Sequence, residues 1–179
     1  INLMTKWNKA YNLTSVRDPE QMMTKHVVDS LACAHLITQD HLIDVGTGPG
    51  LPGIPLAIAF PNKSFVLLDS LGKRVRFMLQ VKHALGLQNI TPVQSRVEDY
   101  HPTEPFDAVL SRAFASLKDM LHWCQHLVNS EGKFLALKGQ LHTDELDEVS
   151  NHFHVNSVNP INVPGLIGER HLVIIDKST

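Results

Sequence analysis

Apolar and polar positions recur along the chain at two periods, and the switches between them lay out a series of helices and strands. Leu3, Met4 and Trp7 among Lys6 and Lys9 give residues 2–10 the pattern of an amphipathic helix, which the run Tyr11 to Ser15 breaks. Because this pattern is already under way at Ile1, further sequence is expected to precede it. Asp18-Pro19-Glu20 is a helix start, with Asp18 as the cap and Pro19 at the first helical position. That helix is expected to run to about residue 37 and to turn Met22, Met23, His26, Val27, Ser30, Leu31 and Ala34 inward; the two methionines read as core packing. Leu42, Ile43 and Val45 form a short buried strand, residues 54–60 a helix, and residues 65–69 a second strand. Within residues 72–82, Val75, Met78, Leu79 and the stem of Lys82 follow helical spacing, and Gly86 ends the helix. Residues 89–94 form a third strand, which Pro92 assigns to an edge. Strands at 106–110 and 133–138 flank a helix at 116–128. Residues 152–158 and 170–175 close the chain as a hairpin. This alternation predicts an α/β fold with helices on both faces of a mostly parallel sheet and one antiparallel strand.

The candidate chemistry centres on the turn between the first strand and its helix, Asp44-Val-Gly-Thr-Gly-Pro-Gly-Leu-Pro-Gly53. Gly46, Gly48 and Gly50 allow a backbone to approach a ligand closely, and the helix start offers free N–H groups. A dinucleotide fold favours G-x-G-x-x-G opening directly into a helix. Here the spacing is Asp44-x-Gly46-x-Gly48-x-Gly50, with Pro49 and Pro52 stiffening the turn. Asp44 would attract the amino group of an amino-acid-bearing nucleoside and repel a pyrophosphate. Asp69 ends the second strand roughly 20 residues beyond the glycines, the spacing of a carboxylate that grips ribose hydroxyls. These features favour S-adenosylmethionine over a nicotinamide dinucleotide.

Ligands in open α/β sheets lie beyond the carboxyl ends of the strands. After the third strand stand Val97 and Glu98, placed to meet an adenine, although Glu98 reads equally as a solvated loop charge. After the fourth stands Arg112, whose guanidinium suits a carboxylate, a phosphate or a guanine edge, or a structural ion pair. Phe114 beside it reads as core. That loop lacks the Asn/Asp-Pro-Pro-aromatic sequence of amino-group methyltransferases. Neither Cys33 nor Cys124 follows a proline, so no thiolate nucleophile for pyrimidine methylation is visible.

Composition narrows the class further. A chain of 179 residues with 43% hydrophobic content makes one domain with a sizeable core. No apolar run approaches a membrane span, and no signal peptide is recognisable. Two distant cysteines outside any C-x-x-C pair exclude a disulfide scaffold and a zinc site, and fit a reducing cytoplasm. A formal net charge of −2 requires any RNA-binding charge to be concentrated on one face.

Four blocks, Lys6-Trp-Asn-Lys-Ala-Tyr-Asn-Leu-Thr14, Asp44 to Pro55, Leu68-Asp-Ser-Leu-Gly-Lys-Arg-Val-Arg-Phe77 and Ser111-Arg-Ala-Phe-Ala115, closely resemble the RsmG (GidB) family. The resemblance extends to Gly168-Glu-Arg-His171. That family comprises bacterial small-subunit ribosomal RNA methyltransferases that make 7-methylguanine. The resemblance implies a Rossmann-like class I S-adenosylmethionine-dependent methyltransferase, with N-terminal helices (residues 1–38) on a Rossmann-like core (39–179) in a single domain. Gly46, Leu51, Val97, Glu98 and Arg112 match the family's cofactor contacts. Guanine N7 carries a free in-plane lone pair, so no general base is needed, and alignment with the sulfonium methyl is the main task. Arg112 is placed to serve O6 or the cofactor carboxylate. Asn12, His26, Lys138 and Arg170 are further candidates for the guanine or its phosphates, His26 reading equally as a core or surface histidine. Lys6, Lys9, Arg17, Lys25, Lys73, Arg74 and Arg76 are nominated for RNA grip, or as solvated faces. The expected partner is 16S rRNA in the small ribosomal subunit, with a monomeric, cytoplasmic enzyme and no metal. A small-molecule methyltransferase and a non-catalytic RNA-binding module remain as alternatives, with a dehydrogenase the weakest rival.

Overall fold

The computed structural model describes residues 1–178. Seven strands form one sheet: β1 (His41–Val45), β2 (Ser64–Asp69), β3 (Ile90–Gln94), β4 (Phe106–Ser111), β5 (Val128–Lys138), β6 (Phe153–Pro160) and β7 (His171–Lys177). Their order is β3-β2-β1-β4-β5-β7-β6. Pairing is parallel from β3 through β5, and β7 runs antiparallel to both β5 and β6. The closing hairpin thus inserts one reversed strand, as the pattern predicted. Pro92 lies on the outer strand β3, where its missing N–H deprives no second neighbour.

Side chains alternate across the sheet. Leu42, Phe65, Leu67, Ala108, Leu110 and Leu135 enter one apolar layer, and Ile43, Val45, Leu68, Val109, Phe134 and Ala136 the other. The first layer is covered by α1 (Asn2–Tyr11), α2 (Pro19–Met22), α4 (Gly53–Ala59) and α5 (Gly72–Leu85), the second by α6 (Leu117–Cys124). Asp18 caps α2 through its Oδ1, which accepts the Glu20 N–H at 3.0 Å. Gly86 ends α5 in the left-handed conformation.

Four details differ from the pattern reading. The helix begun by α2 continues as a π-helical stretch, Met23–Val28, into α3 (Asp29–Leu31). It buries Met22, His26, Asp29, Ser30 and Cys33, while Met23 is 47% and Leu31 37% exposed. Polar residues 26, 29 and 30 turn inward because they face a polar cavity rather than an apolar layer. In α5, Phe77 is buried where Leu79 was expected, because Trp7 of α1 packs edge-on against its ring at 5.7 Å. The helix expected to reach 128 stops at Cys124, followed by a 3-10 turn and an early start of β5. Finally, α7 (Thr143–Asp147) is a short helix with no pattern of its own. Glu145 fixes it, accepting the Leu117 N–H at 3.0 Å and pairing with Lys138 at 2.7 Å.

Candidate active site

The carboxyl ends of β1, β2, β3 and β4 converge on one cleft of about 280 Å³. Gly46 and Thr47 leave β1 by donating their N–H groups to Leu68 O at 2.9 and 3.1 Å, which holds the turn against β2. Gly46 has φ +66°, and a Cβ there would lie 2.5 Å from Ala113 Cβ, so glycine is what lets β4's loop close on the turn. Asp69 is buried at the tip of β2. Its Oδ2 accepts the Gly48 N–H at 2.8 Å and faces Arg74 Nη1 at 3.3 Å, while Oδ1 accepts the Leu71 N–H at 3.0 Å. One carboxylate therefore shapes both neighbouring turns of the cleft. Val97 and Glu98 lie in the 3-10 turn after β3 and line the same cleft with Arg96 and Ser70.

Asp44 is only 1% exposed. Its Oδ2 accepts Thr47 Oγ1–H at 2.7 Å and the Gly53 N–H at 2.8 Å, clamping the two ends of the glycine turn. Its Oδ1 is buried without a hydrogen-bond partner. Burial pushes this carboxyl up to about 7, against the lowering effect of the Thr47 and Gly53 hydrogen bonds. The folded protein thus keeps a proton that the unfolded chain releases near pH 4, and stability falls as pH rises through that window. Between pH 5 and 8 this one group should cost about 2–3 kcal/mol of unfolding free energy. Urea denaturation at both pH values should find the decline in the wild type and a flatter profile in Asp44→Asn. Equal slopes in the two proteins would assign the proton elsewhere.

A second cavity, of about 540 Å³, opens beside the cleft and is lined by Lys25, His26, Asp29, Arg112, Lys138 and Arg170 among others. Four cations there face one carboxylate. Burial, reinforced by the Arg112 charge, lowers the pKa of His26, so this side chain is favoured neutral; its Nε2 lies 2.8 Å from Thr14 Oγ1. Lys138 is held by Glu145 and donates to Ala115 O at 2.9 Å. The segment Ser111 to Phe114 is the wall between the two spaces. Ala113 and Phe114 line the cleft, and Arg112 lines the basic cavity. Ser111 anchors this wall, donating its Oγ–H to Val45 O at 2.8 Å and accepting the Ala113 N–H at 3.1 Å.

The residues singled out from sequence thus fall into separate places. Gly46, Asp69, Val97 and Glu98 share the cleft; His26, Arg112, Lys138, Lys25 and Arg170 share the basic cavity. Gly50 and Leu51 instead border an apolar groove beneath α1, lined also by Leu3 and Phe77. Asn12 lies apart from both spaces: it ends α1 in the left-handed conformation and accepts from Arg17 Nη2 at 2.7 Å. Arg74, nominated for an outer RNA face, is turned into the cleft by Asp69, because a buried carboxylate draws the nearest cation. Lys6, Lys9 and Arg76 are exposed on α1 and α5, with Lys73 half-buried. Sequence reasoning missed Asp29, which joins Arg112 and Arg170. The available signal was a carboxylate one turn after His26 on a helix otherwise facing the core.

The charge balance of the cleft constrains its ligand. Arg74 and Arg96 are each opposed by a carboxylate, Asp69 at 3.3 Å and Glu98 at 3.9 Å. Among the described residues lining the cleft, neither arginine is left without an opposing carboxylate for a pyrophosphate. A nucleoside with ribose hydroxyls fits Asp69 and Glu98 on the cleft wall, whereas Asp44 is buried behind the glycine turn. Both thiols are buried and pushed up to about 12 by burial, so neither is a ready nucleophile. Among the described residues no helix is long and apolar enough to cross a membrane.

Known proteins resemble this chain in fold and in sequence. A mutant of MtNAS solved in complex with S-adenosylmethionine superposes with TM-score 0.67 at 14% identity, covering 99% of this chain and 74% of that one. A ribosomal protein L11 methylase from Lactobacillus delbrueckii subsp. bulgaricus does so with TM-score 0.64 at 16% identity, covering 85% and 77%. At these identities the likeness is one of fold. In sequence, the chain is 70% identical to the ribosomal RNA small subunit methyltransferase G of Alteromonas mediterranea over 177 residues, 99% of this chain and 84% of that protein. The family model GidB, described as rRNA small subunit methyltransferase G, matches residues 1–173. The chain therefore belongs to the GidB family, the small-subunit rRNA methyltransferases.

Proposed function

We propose that this protein transfers the methyl group of S-adenosylmethionine to N7 of one guanine in 16S rRNA of the small ribosomal subunit. The observation that carries the reading is the shared wall, where Ala113 faces the cofactor cleft and the next-door Arg112 faces a cavity rich in cations. The cofactor, when bound, supplies an electrophilic methyl on a sulfonium. Asp69 and Glu98 take its ribose and adenine ends, Gly46 allows its close approach, and Asp44 holds the glycine turn in place from behind.

The chain's own task is then alignment. Guanine N7 carries a free lone pair and needs no deprotonation, so no side chain of the cavity is called on as a base. Arg112 donates to the guanine O6 edge or the cofactor carboxylate, and Lys25, Lys138 and Arg170 hold the nucleotide's phosphates. Such orientation is worth about 7–11 kcal/mol in favourable cases. The base must be splayed out of its stack to enter the cavity. Lys6, Lys9, Lys73 and Arg76 extend the contact along α1 and α5, two helices that touch through Trp7 and Phe77. The protein works as a cytoplasmic monomer with a single methyltransferase domain, residues 1–38 lying over the core of 39–179.

The test is transfer of labelled methyl to small subunits lacking their own 7-methylguanine, followed by nucleoside analysis. Label is expected in 7-methylguanine. Arg112→Ala should lower the rate by about 100-fold or more, the loss of a charged contact made to the reacting groups. Label in another nucleoside, or cofactor binding with no transfer to RNA, would sink the reading in favour of a small-molecule acceptor.

A further inference from the structure

We infer that Asp29 is a positioning residue for methyl transfer, its carboxylate holding the guanidiniums of Arg112 and Arg170 on the wall of the basic cavity. The inference rests on the proposal that this cavity receives the guanine.

Asp29 is 9% exposed and gives one oxygen to each arginine: Oδ2 lies 3.3 Å from Arg112 Nη1, and Oδ1 lies 3.0 Å from Arg170 Nε. It ties together three distant parts of the chain: the helix start after the π-helical stretch, the loop after β4, and the connection entering β7. Its placement has a local cause. The wide turns of Met23–Val28 end at Asp29, and Ser30 donates its hydroxyl to His26 O, so His26, Asp29 and Ser30 all face the cavity. Stretches of π-helix inside α-helices recur at functional sites, where they re-aim side chains.

Electrostatics requires something of this kind. Arg112, Arg170, Lys138 and Lys25 border one cavity, and like charges held together repel. A carboxylate between the two guanidiniums offsets that repulsion and fixes each planar fork in one orientation. Among the described residues Arg112 makes no other hydrogen bond, so Nε and Nη2 remain available to a ligand. Besides Asp29, the Arg170 guanidinium donates to the Glu169 carbonyl, at 3.1 Å from Nη1. A tie that is only structural would not need to leave donors of both partners free on the cavity side.

The experiment is single-turnover and steady-state methyl transfer to the small subunit by full-length Asp29→Asn and Asp29→Glu proteins. The first keeps the shape and removes the charge; the second keeps the charge and moves it by one methylene. Both should lower kcat about 10- to 100-fold, with KM for the subunit and Kd for S-adenosylmethionine within about threefold of wild type. In an Arg112→Ala background Asp29→Asn should add less than about twofold, because the group it positions is gone. Unchanged kcat in both variants overturns the inference, as does a loss that multiplies fully with that of Arg112→Ala. Should Asp29→Asn not fold, Asp29→Glu carries the test; failure of both to fold makes the residue a structural tie and overturns the inference too. A wild-type protein that labels no RNA instead removes the proposed function, and the inference falls with it.

Discussion

Gly46→Ala is expected to abolish measurable cofactor binding and to lower methyl transfer by more than about 100-fold, while lowering the thermal midpoint by roughly 5–15 °C. Two effects add. A residue with a Cβ at φ +66° carries about 1–2 kcal/mol of left-handed strain. The new methyl would also start 2.5 Å from Ala113 Cβ, so the wall carrying Arg112 has to shift away from the turn. Overpacking of this kind costs about 1–3 kcal/mol. Gly48→Ala is the internal comparison. Its φ is nearly the same, +62°, but a Cβ there meets nothing within 4 Å. It should therefore show the strain alone, with a smaller drop in midpoint and with transfer reduced much less. Isothermal titration with S-adenosylmethionine and thermal denaturation of the two variants decide the matter. Equal losses in both would mean that backbone strain, and not closure of the wall on the cleft, governs the site.

The second large effect is expected at Asp69. Its carboxylate accepts three hydrogen bonds, from Gly48, Leu71 and Arg74, and a carboxylate has about four such positions. About one is left for a ribose hydroxyl. Asp69→Ala removes the proposed ribose contact and also leaves two loop N–H groups and a partly buried guanidinium unpartnered. Breaking a buried charged tie costs about 3–5 kcal/mol. The affinity for S-adenosylmethionine should fall by about 100-fold or more, and the protein should unfold at distinctly lower urea concentration. Asp69→Asn, which can still accept but carries no charge, should lose about 10-fold in affinity with a smaller change in stability. A folded Asp69→Ala protein that binds the cofactor like wild type would show that the ribose is held elsewhere.

These two residues also mark what could be read without coordinates. Asp69 follows a short apolar strand at the ribose-binding distance from a glycine turn, and both features are local. The strand periods, the Asp18-Pro19 helix start, the Gly86 stop and the edge position implied by Pro92 are local too, because each is set by backbone sterics or by side chains a few residues apart. Arg112 was visible as the charged residue after a buried strand. Its partner was not. Asp29 and Arg170 stand 83 and 58 residues from it along the chain, and no local pattern relates them.

The sequence by itself determined the alternation of elements, the mostly parallel sheet with its reversed strand, and the glycine turn with its two acids. Short-range sterics and hydrophobic period act within a few residues, so they are written in adjacent letters. Only the tertiary structure decided that Asp44 faces its own turn, that Arg74 enters the cleft, that Asn12 stands outside the site, and that Asp29 joins two arginines. Each of those outcomes depends on which charge lies nearest once distant segments are packed, and on burial, which makes a buried charge or polar group costly to leave unpaired.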